Sequence, residues 1–250
     1  MQELAPDSVS VLGMKVSVFQ SYDVAVAFVN ERIRRGKKTF CVAMNPEKVY
    51  KATRNPQLQT VLSSADMRIC DGIGISLASM LLHRQYIPRC TGIDLFLKLV
   101  RLCAEQNLKI FVLGASPEVN QAGCISLLKS YPGLQIAGQH HGYFEDSQPI
   151  IESIRQSGAD LLFVAMGSPR QEFWIAEHLP ELSVSFCMGI GGSLDVVSGS
   201  AKRAPAAFRA LGAEWLYRLL SQPGRLRRQA ALPVFAYDVL KSLWQARPIS

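Results

Sequence analysis

The apolar run MRIC (67–70) is followed at once by Asp71-Gly72-Ile73-Gly74. A carboxylate at a strand exit, backed by glycines that let a ligand approach the backbone, is placed to act as a general base. On spacing alone the same aspartate suits a helix N-cap at least as well. A second exit lies in FVAMGSPRQEFW (163–174), which switches at Gly167 from buried-strand character to Ser-Pro and then to Arg170, Gln171 and Glu172. This stretch reads equally as a solvated first helical turn and as one wall of a ligand site. A third exit, Gly189-Ile190-Gly191-Gly192-Ser193-Leu194-Asp195, leads a glycine-rich turn into a helix, where backbone N–H groups can hold a diphosphate. It lacks the G-K-[ST] ending of a Walker loop, and no G-x-G-x-x-G follows the first strand of the main domain. Lys202-Arg203-Ala204-Pro205 comes soon after, giving two cations that fit an anion or a solvated helix start. Asn45-Pro46-Glu47 is a helix cap or a ligand contact in equal measure. His140-His141-Gly142-Tyr143-Phe144 reads as a turn with an aromatic plug, because adjacent histidines point apart.

Strand-like runs of β-branched, aromatic and apolar residues must position these exits. They fall at 39–45, 67–70, 109–114, 134–138, 160–167 and 184–191, with helical periodicity between them, as in 24–35, 95–106 and 119–131. Strands alternating with helices of this length predict a Rossmann-like α/β fold, a mainly parallel sheet with helices on both faces. Ligands then bind at the carboxyl ends of the strands. VSVLGMKVSV around Gly13 predicts a small N-terminal hairpin. The expected organisation is a hairpin region over 1–20, a catalytic α/β domain over 21–204 and a helical appendage over 205–250. The appendage is expected to hold a helix around 205–220, a break at Gln222-Pro223-Gly224, and a second helical pattern. In that pattern Leu226, Ala230, Val234, Tyr237, Leu240 and Trp244 recur every three or four residues.

The chain has 250 residues, 48% of them hydrophobic, enough for one sizeable core. Its net charge is +7, and nine Lys/Arg against Glu214 and Asp238 place that whole excess between Lys202 and Arg247. Such asymmetry calls for an anionic partner. A nucleic acid would require interleaved aromatics on an open sheet or a recognition helix, and the sequence has neither, so no nucleic acid is expected. The apolar spacing of the tail suits an anionic bilayer surface better, although it also fits a packing helix in a monomer or a homo-oligomer. The first ten residues lack a basic n-region and apolar h-region, and no apolar run reaches the roughly 18–20 residues of a spanning helix. The expected location is therefore cytoplasmic, peripheral on a membrane. Six scattered cysteines without a C-x-x-C pair read as buried thiols of a reducing compartment, and no metal is expected.

Nine segments occur in the order and spacing of the WecG/TagA/CpsF glycosyltransferases. They are AMNPEKV, CDGIGI, RCTGIDL, FVLGASPEV, HGYF, VAMGSPRQE, GIGGSLDVVSG, KRAP and EWLYRLLSQPGRLRRQ, and they span about residues 10 to 230. MNPEK, VAMGSPRQE and LSQP look most similar to the WecG branch. The resemblance implies an inverting, metal-independent transferase without cofactor. It would move an N-acetylmannosamine-type sugar, in this branch N-acetylmannosaminuronic acid, from UDP to polyprenyl-diphosphate-linked N-acetylglucosamine at the inner membrane face, the alternative within the family being another UDP-hexose donor such as glucose or N-acetylmannosamine for exopolysaccharide or teichoic acid. It further implies Asp71 as base, Arg89 as a cation beside it, and Gln171 as an active-site amide. Substrate contacts are implied for Asn45, Gly72, Asp94, Gly167 and Glu172, and for Gly191, Gly192, Asp195, Lys202 and Arg203. Arg218, Arg225 and Arg228 would face the acceptor diphosphate and the membrane. Ala43 stands where the TagA branch carries a threonine, so only Asn45 of that T-x-N carries over.

Overall fold

The computed structural model describes residues 6–221 and 230–245, without the side chains of Arg218 and Ser221. Strands β1 (Ser8–Val11) and β2 (Met14–Ser17) form the antiparallel hairpin. Its turn residues Leu12 and Gly13 both have positive φ, 50° and 82°, the requirement of a two-residue turn that matches strand twist. The hairpin lies against β4 (Met67–Cys70) and helix α4 (Ile73–His83).

The main sheet contains β3 (Thr39–Met44), β4, β5 (Lys109–Gly114), β6 (Gln135–His140), β7 (Leu161–Ala165) and β8 (Phe186–Gly189). All pairings are parallel and the order is β4-β3-β8-β7-β5-β6. Every strand therefore exits on one edge. The strands other than β6 are largely buried on both faces, and their side chains alternate between two cores. Phe40, Val42, Met44, Phe111, Leu113, Leu162 and Val164 face one layer. That layer includes α2 (Pro46–Ala52), α3 (Pro56–Ser64), α7 (Gln148–Ser157) and α8 (Arg170–His178), besides α4. Cys41, Ala43, Ile110, Val112, Phe163, Phe186 and Met188 face the other. There the partners are α1 (Tyr22–Arg34), α5 (Gly92–Gln106), α6 (Pro117–Ser130) and α9 (Ser193–Val197).

The strand expected to end at Gly138 continues to His140. β6 is an edge strand, only half-buried, so it needs no apolar residue at 139 or 140. Gly138 marks a register shift opposite Phe111, whose ring would lie 2.5 Å from an added Cβ.

Residues 205–221 form two short helices, α10 (Ala206–Ala210) and α11 (Glu214–Ser221), instead of the one expected. Gly212 separates them at φ 70°. Helix α12 (Ala231–Gln245) packs on α2 and α4 through Ala231, Phe235 and Val239, and Arg54 pairs with Asp238 at 3.0 Å. The side that packs is distinct from the stripe picked out by spacing, the one expected to suit a bilayer surface or a packing helix. Tyr237, Leu240 and Trp244 of the predicted stripe are 60% or more exposed. Its Leu226, with the expected break at 222–224, lies outside the described residues. Among the described residues no helix is long and apolar enough to cross a membrane. All six cysteines are free and buried, and burial pushes the Cys70 thiol, beside Asp71, up to about 11.

Candidate active site

The carboxyl edge of the sheet holds a cavity of about 300 Å³ lined by Ala115, Ser116, Val119, Tyr143, Ala165, Gly167, Gly191, Gly192 and Asp195. Its floor depends on the exit of β5. Gly114 has φ 120°, and an added Cβ would stand 2.5 Å from the Ala165 backbone, so only glycine lets β5 leave so close to β7. Ala115 then donates its N–H to Ala165 O at 2.8 Å and accepts from Gly142 N at 2.8 Å. The buried Asn120 side chain donates to Gly114 O at 2.8 Å and His140 O at 3.0 Å, holding the β5 and β6 exits in place. Tyr143 is 70% exposed, its ring at the rim.

The wall formed by Gly167 and Gly191 is built from α8. Gln171 is 2% exposed; its Oε1 accepts from Gly191 N at 3.0 Å and its Nε2 donates to Glu172 Oε1 at 2.9 Å. Glu172 is 1% exposed and pairs with Lys48 Nζ at 2.8 Å. Burial alone would raise the Glu172 pKa, but the Lys48 charge and hydrogen bond outweigh it and hold the carboxyl below its usual range. The glycine turn uses much of its own hydrogen bonding internally: Ile190 N bonds Val164 O at 2.8 Å and Ser193 N bonds Ile190 O at 3.0 Å. With Gly191 N given to Gln171, the expected cradle of backbone donors is narrower than the sequence suggested.

Asp71 stands at a second corner of the same edge, two strands from β8. Its N–H extends the ladder to Met44 O at 2.8 Å. The N-cap of α4 is Gly72, at φ 113°, with no side-chain cap, so Asp71 does not cap its own helix. Its Oδ1 instead accepts from Gly92 N, the first residue of α5, at 3.3 Å. Cys90 N bonds Cys70 O at 2.8 Å, which brings Arg89 alongside this exit. Arg89 Nη2 donates to Arg209 O at 2.9 Å, and Gly212 packs over Arg89 and Ile73. The appendage helices therefore lie over the Asp71 corner, and no described appendage residue lines the cavity.

Asp94 is engaged within the protein. It pairs with Arg203 and accepts from Thr91 Oγ1 at 2.8 Å and Tyr22 OH at 3.4 Å. Burial raises its pKa, but the bonds from Arg203 and Thr91 outweigh this and leave it lowered. Asn45 caps α2, accepting from Lys48 N at 2.9 Å. Lys202 is exposed. Arg218 lies on α11, and Arg225 and Arg228 fall outside the described residues.

Residues 9–248 match the model of the glycosyl transferase WecG/TagA/CpsF family. The chain belongs to that family. A relative from Bacillus spizizenii strain W23 is 38% identical over 207 residues, 83% of this chain and 80% of the relative. It is named N-acetylglucosaminyldiphosphoundecaprenol N-acetyl-beta-D-mannosaminyltransferase. A relative from Staphylococcus aureus strain MW2 bears the same name and is 36% identical over 204 residues, 81% of this chain and 80% of its own.

In this WecG/TagA/CpsF glycosyltransferase the expected site residues divide between two neighbouring places. Gly167, Gly191, Gly192 and Asp195 line the cavity, with Gln171 and Glu172 buried behind it. Asp71, Gly72, Arg89 and Asp94 form the other corner, with Arg203 held by Asp94. The sequence reading missed Ala115, Ser116, Val119 and Tyr143. A signal for the first three was present, since Gly114-Ala115-Ser116-Pro117 repeats the Gly then Ser-Pro pattern of 167–169. Lys48 was also missed: it lies inside the AMNPEKV motif, but its partner Glu172 is distant in sequence.

Proposed function

We propose that this chain transfers an N-acetylmannosamine-type sugar from a UDP donor to polyprenyl-diphosphate-linked N-acetylglucosamine, inverting the anomeric centre and without a metal. The observation that carries the reading is the juxtaposition, on one sheet edge, of a glycine-lined cavity with an aromatic rim and a carboxylate, Asp71, at a neighbouring exit. The cavity takes the nucleotide, with Tyr143 against the base and Gly167, Gly191 and Gly192 beside the diphosphate. Asp71 removes the proton from the acceptor hydroxyl, which attacks the anomeric carbon from the face opposite the departing UDP. Arg89 and Lys202 offset the charge of the leaving diphosphate, and the arginines at 218, 225 and 228 meet the acceptor's diphosphate at the membrane. WecG-like motifs point to N-acetylmannosaminuronic acid as the sugar; the names of the two relatives favour neutral N-acetylmannosamine.

The acceptor's lipid brings the enzyme to the inner membrane surface. Helix α12 turns Tyr237, Leu240 and Trp244 outward, and α4, on which it packs, leaves Leu77, Met80 and Leu81 exposed. Each nearby Lys/Arg adds about 1 kcal/mol at an anionic surface. The test is purified full chain with polyprenyl-diphosphate-N-acetylglucosamine and a panel of UDP-N-acetylmannosamine, UDP-N-acetylmannosaminuronic acid and UDP-glucose. Transfer with anomeric inversion, undiminished by chelator, is expected for one mannosamine-type donor. Turnover with none, or retention of configuration, refutes the reading.

A further inference from the structure

We propose that Lys48 and Glu172 are positioning residues for the donor: their buried ion pair orients the Gln171 amide, which in turn sets the Gly191 turn against the nucleotide. The inference rests on reading the cavity as the nucleotide-sugar pocket. A side-chain amide is nearly symmetric in shape, so only its partners decide which end is oxygen. An ionised carboxylate accepts and cannot donate. Glu172 Oε1 therefore takes the Gln171 Nε2 end at 2.9 Å, which leaves Oε1 of Gln171 to receive the Gly191 N–H at 3.0 Å. Turning the amide over would set oxygen against carboxylate and N–H against N–H.

The order is maintained only while Glu172 stays charged, and Lys48, 6% exposed, is the cation that keeps it so. Lys48 is itself placed by the Asn45 cap at the exit of β3. The chain of contacts thus runs from β3 through α2 and α8 to the turn after β8. Gly189 makes room for it: an added Cβ would sit 2.7 Å from Gln171 Cδ and closer still to Nε2. Both ends of the Gln171 amide are engaged inside the protein, so its effect on substrate passes through Gly191. For stability alone, a buried ion pair is often no better than a neutral pair of similar shape. Positioning supplies a reason for its presence here.

The experiment compares the parent with two variants, measuring UDP binding by calorimetry and melting temperature. The Lys48→Met, Glu172→Gln double variant removes both charges together. It should melt near the parent, yet bind UDP about tenfold more weakly, because a neutral amide at 172 can donate as well as accept and leaves the Gly191 N–H as the one remaining group of this pair of contacts that favours the Gln171 orientation. Gly189→Ala leaves the ion pair intact and displaces the Gln171 amide directly, and it should weaken UDP by a similar factor. UDP affinity within about twofold of the parent, in the double variant or in a folded Gly189→Ala protein, overturns the proposal and leaves the cavity assignment standing. A parent that binds no UDP overturns the cavity assignment itself, and the proposal with it.

Discussion

Replacing Asp71 by Asn separates chemistry from folding and from donor binding. The asparagine keeps the shape of the side chain, and its Oδ1 can still accept the Gly92 N–H, whose bond to Asp71 is 3.3 Å long. A neutral hydrogen bond of that kind contributes about 1 kcal/mol. Even its full loss would lower the melting temperature of a domain this size by only about 2–4 °C. Donor binding should change little, because the cavity is lined from the exits of β5, β6, β7 and β8 and residue 71 is not part of its lining. What the variant loses is the proton acceptor. General-base catalysis is worth about 10²–10⁴-fold, so kcat for sugar transfer should fall by that factor while the UDP dissociation constant stays within about twofold. Initial rates with the lipid-linked acceptor, calorimetry with UDP and a thermal melt on the same preparation measure the three quantities. Turnover within about fivefold of the parent would remove Asp71 from the base role. A parallel loss of UDP affinity would mean that the two corners form a single donor site.

Tyr143→Ala should weaken UDP about tenfold or more without lowering the melting temperature, since the ring is exposed and base–aromatic stacking is worth about 1–3 kcal/mol; unchanged affinity would place the base elsewhere. Asp94 and Glu172 both have lowered folded pKa values, so their stabilisation is full above the unfolded values of about 3.9 and 4.3 and is lost as pH falls through the folded ones. Melting temperature should therefore hold from pH 7 to about 5 and drop below about 4.5, and Arg203→Gln should make that acid-side fall shallower. Leu240→Asp with Trp244→Asp, both on the exposed side of α12, should reduce flotation with anionic vesicles several-fold at unchanged thermal stability; equal flotation would place membrane contact elsewhere.

Much of this arrangement was legible in the sequence because it is local. Apolar runs and period-3.6 patterning are properties of neighbouring residues, and they identified the six main strands, the hairpin at Gly13 and the strand exits at which the cavity and Asp71 lie. Nine motifs in order carried the family. Composition placed the positive excess in the tail. Contacts between distant residues were the part that patterning could not supply. Asp71 was as good a cap as a base until the glycine at 72 took the cap position and the carboxylate was found at the start of α5. Asp94 and Arg203, both expected at substrate, neutralise each other across 109 residues. Helix α12 packs on α2 and α4 through Ala231, Phe235 and Val239, while Tyr237, Leu240 and Trp244 of the stripe that spacing selected stay exposed; which side meets the protein is decided by the fold. Gln171, singled out as the active-site amide, is enclosed by Glu172 and Gly191, and Lys48 behind it, although part of the AMNPEKV motif, had nothing local to mark its pairing. A charged side chain becomes stable in a core only when the fold brings its counterion to it, and that is decided in three dimensions.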